Sequence, residues 1–201
     1  MQAIDFFLRG GFFMGALLLL SVISLTIIFQ RAWALRLRQV LPSALKLAVD
    51  HYQTGTSLDS LYQTLQTDTS PLSRILQTLL QHSDWPRTEA LDAVEVRARH
   101  EISRLESGLT FLEVATGIAP LLGLLGTLSG LVDIFANIGD KGDPQMVAMG
   151  ISQALNSTIV GLAVAVPSLI AFHYLSRRVE TIAIEIESVT AELITKIYLK
   201  K

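Results

Sequence analysis

The sequence predicts an all-α membrane protein with three transmembrane helices, in which spans two and three continue as long cytoplasmic helices. Half of the 201 residues are hydrophobic, and they are concentrated in three long apolar runs, whereas a soluble domain would scatter them. Beyond these runs, apolar residues recur every three or four positions, which is the period of a helix with one buried face. Together these observations indicate the fold class.

The first predicted span covers residues 10–29 and contains no charged residue. A run of about 20 residues matches the roughly 30 Å thickness of the hydrocarbon layer. A cleaved signal peptide is the alternative, because Ala32-Trp33-Ala34 resembles a cleavage site. We favour a transmembrane helix, because the apolar core is longer than that of a signal peptide and Arg31 directly precedes the site.

The second predicted span covers residues 116–138 and the third covers residues 146–175. The second span holds one acidic residue, Asp133, close to its end. The third span has no formally charged residue and is interrupted only by Pro167.

The basic residues predict the orientation of the chain. They follow spans one and three, whereas the loop at residues 139–145 carries one lysine between two acids. The positive-inside rule therefore places residues 1–9 and this loop on the outer side of the membrane. Residues 30–115 and 176–201 are then cytoplasmic.

The cytoplasmic segments are predicted to be helical. In residues 87–112 apolar positions recur with the helical period, and the repeat predicts no break before span two. The same period continues after span three, from Ile182 to Ile197. We expect the helices of spans two and three to run on into these segments and to pack their apolar stripes within the chain. Contacts between subunits are the alternative role for the stripes.

Composition narrows the classes of function. The chain has no cysteine, and its four histidines do not occur at the spacing of metal ligands. A formal net charge of −2 gives no indication of a nucleic-acid partner. A metalloenzyme is therefore disfavoured, and we expect no bound cofactor.

Small residues recur on spans two and three at helical spacing. Gly126 and Gly130 stand at GxxxG spacing on span two, Gly123 precedes them, and Gly161 belongs to a similar stripe on span three. Lipid tails are as apolar as leucine, so transmembrane helices associate through the close packing that small residues allow. These glycines therefore predict helix packing, and two such stripes in one chain favour oligomerisation.

Polar side chains within the same spans are the candidate functional residues. Serine and threonine can bond back to the preceding turn, but the amides of Gln153 and Asn156 cannot be satisfied fully in that way. Polar groups at such depth face the interior of a bundle or a hydrated path. The residues for which we expect this are Thr127, Ser129, Gln153, Asn156, Ser157 and Thr158.

No carboxylate lies in the middle of a predicted span. Asp133 is near the outer end of span two and Glu113 lies just before its cytoplasmic start, so both are candidates only for the vestibule or entrance of an ion path. Threonine and amide side chains hold water but do not titrate near neutral pH. If ions cross here, we expect the titrating acid to come from another chain.

Two ordered motifs carry a resemblance to a known family. The stretches APLLGLLGTLSGL (119–131) and GISQALNSTIVGLAVAVP (150–167) resemble the signatures of spans two and three in the ExbB/TolQ/MotA family of proton-channel subunits, on its three-span ExbB/TolQ side. The resemblance implies a homopentamer in the bacterial inner membrane around a dimer of a single-span ExbD- or TolR-like protein. That partner carries the membrane aspartate. Its protonation drives work across the periplasm through a TonB- or TolA-like protein.

The resemblance also assigns roles to individual residues. It implies that Thr127 and Thr158 line the partner-facing pore, with Gln153 and Asn156 supporting its hydration. Family members commonly carry a glutamate where this chain has Gln153. An amide cannot titrate, so the resemblance implies a water-organising role at this position and no proton relay.

The leading prediction is an ExbB-like subunit that energises outer-membrane transport. A TolQ-like role in envelope maintenance and a sodium-driven mechanism are alternatives within the same class, because inspection does not separate protons from Na⁺. A non-conducting membrane scaffold is the alternative from a different class. A small-molecule transporter is disfavoured, since the sequence has no internal repeat and no pair of broken helices.

Overall fold

The structure, a computed structural model, describes residues 11–52, 58–137 and 144–198, and every regular element in these ranges is an α-helix. The predicted all-α fold class is therefore confirmed. In chain order the helices are α1 (Gly11–Ala34), α2 (Leu37–Val40), α3 (Ser43–His51), α4 (Asp59–Gln66), α5 (Pro71–Gln81), α6 (Arg87–Glu106), α7 (Leu109–Asn137) and α8 (Pro144–Tyr198).

Three of the described helices are long and apolar enough to span a membrane, as predicted. The apolar stretches are Phe12–Ala34 in α1, Leu109–Ala136 in α7 and Val147–Tyr198 in α8. The predicted outer segment at 1–9 and residues 139–143 of the predicted loop lie outside the described residues.

The described residues fall into two compact units. The membrane unit contains residues 11–30, 108–137 and 144–174. The second unit contains residues 31–52, 58–107 and 175–198. The candidate residues that the sequence analysis identified lie in the membrane unit; among them, only the side chain of Gln153 is not described.

The core of the membrane unit forms where α1, α7 and the first part of α8 meet. Leu17, Ala119, Val164 and Ala165 are buried there, with Leu20, Leu122 and Val160 packed against them. Alanine on both α7 and α8 keeps the buried layer thin, so the backbones can approach each other closely.

The second unit buries the apolar face of its amphipathic helices. Ile182, Ile186, Val189 and Leu193 of α8 are all buried within the chain, which confirms that this stripe packs intramolecularly. Helix α5 begins at Pro71, and the Ser70 side chain accepts a hydrogen bond of 3.2 Å from the Ser73 N–H.

The predicted continuity of the helix before span two is wrong. Helix α6 ends at Glu106 and α7 begins at Leu109. Between them, Gly108 has a φ of 82°, in the left-handed region that glycine adopts without steric cost. Arg31 and Ser107 donate to the Arg104 carbonyl at 3.4 and 3.0 Å, which satisfies an acceptor at the end of α6. By contrast, α8 runs from Pro144 to Tyr198 as one helix, as predicted for span three.

Candidate functional site

Close backbone contact between α7 and α8 positions the candidate site. A Cβ atom built on Gly161 would lie 2.6 Å from the Ala119 carbonyl oxygen and 3.1 Å from the Gly123 Cα. One built on Gly123 would lie 2.7 Å from the carbonyl oxygen of Ser157. Neither position has room for a side chain, so the glycines set how closely the two helices approach.

The two candidate threonines meet across this contact. The Oγ1 atoms of Thr127 and Thr158 lie 2.6 Å apart, which makes them a hydrogen-bonded pair. The Thr127 hydroxyl also lies 3.1 Å from the carbonyl oxygen of Gly123 on its own helix and 3.2 Å from that of Ala154 on α8. Two hydroxyls and two carbonyls are thus gathered at one point between the helices.

The two hydroxyls differ in their access to the surroundings. Thr127 is only 7% exposed and is enclosed between α7 and α8. Thr158 is half-buried, and its hydroxyl has a second, longer contact of 3.4 Å with the Gly123 carbonyl. Thr158 is therefore the member of the pair that can meet a molecule from outside the chain.

Small residues surround the pair. Gly126 faces Ser157, since an added Cβ would lie 2.9 Å from the Ser157 Cβ and 3.0 Å from its Oγ. Gly130 faces Ala154 in the same way, at 3.1 Å from its Cβ. Both serve the helix packing expected of them, and buried Ser157 belongs to this packed surface.

The other predicted residues whose side chains the structure describes are not gathered at the threonine pair. Ser129 and Asp133 are exposed on α7, and Asn156 is half-buried on α8. Glu113 is exposed and precedes Thr127 by 14 positions, which corresponds to about 21 Å along a helix. The side chain of Gln153 lies outside the described part of the structure.

The backbone carbonyls of Gly123 and Ala154 are site groups that the sequence analysis did not identify. Gly123 was predicted only to pack, yet its carbonyl oxygen lies within reach of both threonine hydroxyls. The signal for Gly123 was present, because it precedes Thr127 by the four positions of a helical hydrogen bond. Ala154 gave no such signal, because its contact depends on the register between two helices.

The threonine pair can donate and accept hydrogen bonds, but it contains no group that titrates near neutral pH. A hydroxyl both donates and accepts, so the pair can relay hydrogen bonds to and from water. Among the described residues, no group of three or more histidine, aspartate or glutamate side chains is placed to hold a metal ion.

Comparison with known proteins identifies the family. Residues 67–188 match the model of the MotA/TolQ/ExbB proton channel family. An ExbB-like biopolymer transport protein from Synechocystis sp. is 34% identical over 184 residues, covering 87% of this chain and 70% of that protein. The Tol-Pal system protein TolQ of Haemophilus influenzae is 29% identical over 205 residues, covering 89% and 86%.

A third relative is more distant. The biopolymer transport protein ExbB of Neisseria gonorrhoeae is 26% identical over 159 residues, covering 71% of this chain and 72% of that protein. The family match covers α7 and the part of α8 up to residue 188, so it includes both threonines of the pair. Helices α1, α7 and α8 are long and apolar enough to span a membrane. This chain therefore belongs to the MotA/TolQ/ExbB proton channel family.

Proposed function

We propose that this chain is a subunit of an ExbB-like motor of the bacterial inner membrane, driven by the proton-motive force and performing no chemical catalysis. The observation that carries the proposal is the hydrogen-bonded pair of Thr127 and Thr158, at 2.6 Å, inside an apolar helix pair. Polar side chains within membrane-spanning helices usually face water or a polar group of a neighbouring helix, and the half-buried Thr158 is placed to do so.

The proposed mechanism takes its titrating acid from a partner. Hydroxyls relay hydrogen bonds, but a proton that is loaded and released needs a carboxylate. We propose that a single-span ExbD- or TolR-like protein brings a membrane aspartate to the half-buried Thr158. Thr127 then holds Thr158 in position, and Asn156, which does not lie at the pair, supports hydration elsewhere along α8 together with Gln153.

The proposed assembly rests on the similarity of this chain to its relatives. Relatives of this chain are named as a biopolymer transport protein, ExbB, and as a Tol-Pal system protein, TolQ. We propose a homopentamer with its N-terminus in the periplasm and its C-terminus in the cytoplasm, which acts through a TonB- or TolA-like protein. Outer-membrane transport is the leading role and envelope maintenance is the alternative.

A specific observation favours a second candidate, a non-conducting scaffold. Both hydroxyls of the pair have hydrogen-bond partners within the chain, so they can act purely as an interhelical lock. A scaffold would need no acidic partner and would tolerate loss of the Thr158 hydroxyl.

The first experiment is native mass spectrometry of the complex, gently extracted from its own membrane through a C-terminal tag. We expect five copies of this chain with two copies of a small single-span protein that carries a membrane aspartate. A monomer, or a ring that lacks an acidic partner, would favour the scaffold.

Replacement of Thr158 by valine is expected to leave assembly intact and to lower proton flux on the order of tenfold. Valine keeps the shape of threonine but removes the hydroxyl. A hydrogen bond worth about 1.4 kcal/mol to the conducting arrangement corresponds to a factor of ten. The measurement is proton entry into proteoliposomes that contain the complex and a trapped pH dye.

Thr26→Val is the matched control, because the Thr26 hydroxyl donates to the Val22 carbonyl of its own helix at 2.8 Å. We expect the flux of this variant to equal that of the wild type. Unchanged flux in Thr158→Val would remove Thr158 from the pathway and support the scaffold. The assay is repeated at clamped pH with and without Na⁺, and flux that requires Na⁺ would identify a sodium-driven member.

A further inference from the structure

A second polar site lies in the membrane unit between α1 and α8. It is a half-open cavity of about 100 Å³, and the residues that line it include Ser21 and Ser24 of α1 and Ala163, Pro167 and Ser168 of α8. Ala163 and Pro167 are exposed at its rim, whereas Ser24 and Ser168 are buried. Pro167 follows Thr158 by nine positions, which places the two on opposite sides of α8. The cavity is therefore separate from the threonine pair.

Ser24 has an unusual environment for a serine in an apolar helix. It is 2% exposed, and its hydroxyl has no hydrogen-bond partner among the residues that the structure describes. Neighbouring hydroxyls behave in the usual way, since Thr26 donates to Val22 and Ser168 donates to Val164, each at 2.8 Å. A buried hydroxyl without a partner is unfavourable, and Ser24 is one of the residues that line the cavity.

Pro167 adds a second group that needs a partner. Proline has no N–H, so the carbonyl oxygen of Ala163, four positions earlier, receives no helical hydrogen bond from this residue. In a membrane, such a carbonyl is satisfied by side chains or by ordered water. Ala163 also lines the cavity, so the residue whose carbonyl lacks this hydrogen bond and Ser24 border the same space.

We propose that this cavity is a binding site for ordered water, which bridges the Ser24 hydroxyl and the Ala163 carbonyl at the break made by Pro167. Its volume of about 100 Å³ is well above the roughly 10–15 Å³ that one water needs. The hydroxyls of Ser21 and Ser168 complete the two to four polar partners that a buried water requires. The bound water supplies the hydrogen bond that Pro167 cannot donate.

The chemistry of the lining favours water over an ion. None of the described residues that line the cavity carries a charge. A dehydrated cation would need a carboxylate or a larger set of oxygen ligands to offset the loss of its hydration. Neutral hydroxyls and one carbonyl match the donors and acceptors of water instead.

Hydroxyl-radical footprinting of the intact protein in lipid nanodiscs tests the site, because X-rays split bound water in place and label the side chains beside it. We expect Ile28 and Val164, which line the cavity, to be modified several-fold faster than Leu19, which is exposed on the apolar helix α1 and does not line the cavity. The variant Ser24→Leu fills the cavity, and its modification at both positions should fall to the rate at Leu19. Equal rates at all three positions in the wild type would overturn the proposal.

The variant Ser24→Ala provides an independent result that does not depend on filling the cavity. If water bonds the Ser24 hydroxyl, its removal leaves the melting temperature unchanged or lowers it. If the hydroxyl is dry, its removal relieves a buried polar group and raises the melting temperature by about 2–4 °C. Such a rise would overturn the proposal.

Discussion

Replacement of Glu101 by alanine is expected to open the α5–α6 pair of the second unit far more often than in the wild type. Glu101 is fully buried at 0% exposure on α6. Arg74 of α5 donates to both of its carboxylate oxygens, at 2.9 and 2.6 Å. Arg97 lies 3.0 Å from Oε1, so two guanidinium groups share one carboxylate.

Loss of the carboxylate leaves the positive charges of Arg74 and Arg97 beside each other without the anion that they share. Removal of one member of a fully buried ionic network typically costs about 3–5 kcal/mol, but the side chains of Arg74 and Arg97 are 29% and 36% exposed, so water offsets part of this cost. We expect a cost of about 1.4–3 kcal/mol, which raises the open population roughly tenfold to a hundredfold. We expect hydrogen–deuterium exchange of the α5 and α6 amides in the full-length protein to accelerate by this factor.

Glu95→Ala is the matched control on the same helix. The side chain of Glu95 is 59% exposed. It forms an ion pair with Arg99, which is also exposed and lies four positions later on the same helix. Exposed pairs contribute about 0–1 kcal/mol, so exchange in α5 and α6 should change less than tenfold. Similar exchange rates in the two variants would show that the Glu101 network does not hold the helices together.

The same carboxylate predicts a dependence of stability on pH. Burial raises the pKa of Glu101, but the hydrogen bond from Arg74 and the charges of Arg74, Arg97 and Arg104 outweigh it and hold the pKa below its ordinary value. The folded-state pKa is below the unfolded one, so the carboxylate stabilises the fold above about pH 4.3. This contribution is lost as the pH falls through the folded-state pKa.

Comparison with Glu101→Gln measures this pH dependence. We expect amide protection of α5 and α6, corrected for intrinsic exchange, to differ strongly between wild type and variant at neutral pH. The difference should shrink as the pH is lowered below about 4. A difference that stays constant across this range would contradict ionisation of Glu101 in the folded protein.

Gly161→Ala is expected to destabilise the membrane unit by about 1–3 kcal/mol, because the added methyl group has no space. Its Cβ would lie 2.6 Å from the backbone oxygen of Ala119, which cannot move aside as a flexible side chain can. Separation of α7 from α8 would also lengthen the contact between Thr127 and Thr158. Thermal unfolding of the purified protein and the proton-flux assay measure the two effects.

Gly117→Ala separates this clash from the general effect of alanine in a helix. A Cβ on Gly117, which lies in α7, would meet nothing within 4 Å among the described atoms. Alanine favours helix over glycine by about 1 kcal/mol, so this variant should be as stable as the wild type or more stable. If Gly161→Ala were equally stable, the close backbone contact would not exist in the folded protein.

Much of the membrane unit could be predicted because its signals are local. Hydropathy alone locates the three spans, and glycines at helical spacing indicate which faces pack. The hydrogen bond between Thr127 and Thr158 could not be predicted. It requires the relative register of α7 and α8, which the contact between Gly123 and Gly161 determines.

Two features next to or within the second unit were not predicted from the sequence: the helix break at Gly108 and the buried ionic network of Glu101. The break at Gly108 lies within a repeat whose apolar positions Leu105, Leu109 and Leu112 are all buried, so periodicity continues across it. Glu101 stands four positions before Leu105 on the buried side of α6. A carboxylate in the register of an apolar stripe was the available signal for a buried ionic network.

The threonine pair has two hydrogen-bonded arrangements, because each hydroxyl carries a single proton and either oxygen can be the donor. When Thr158 donates to Thr127, the Thr158 oxygen offers only lone pairs to its surroundings. When Thr127 donates instead, the Thr158 proton is free to point outward. The enclosed Thr127 therefore sets whether its neighbour presents an acceptor or a donor.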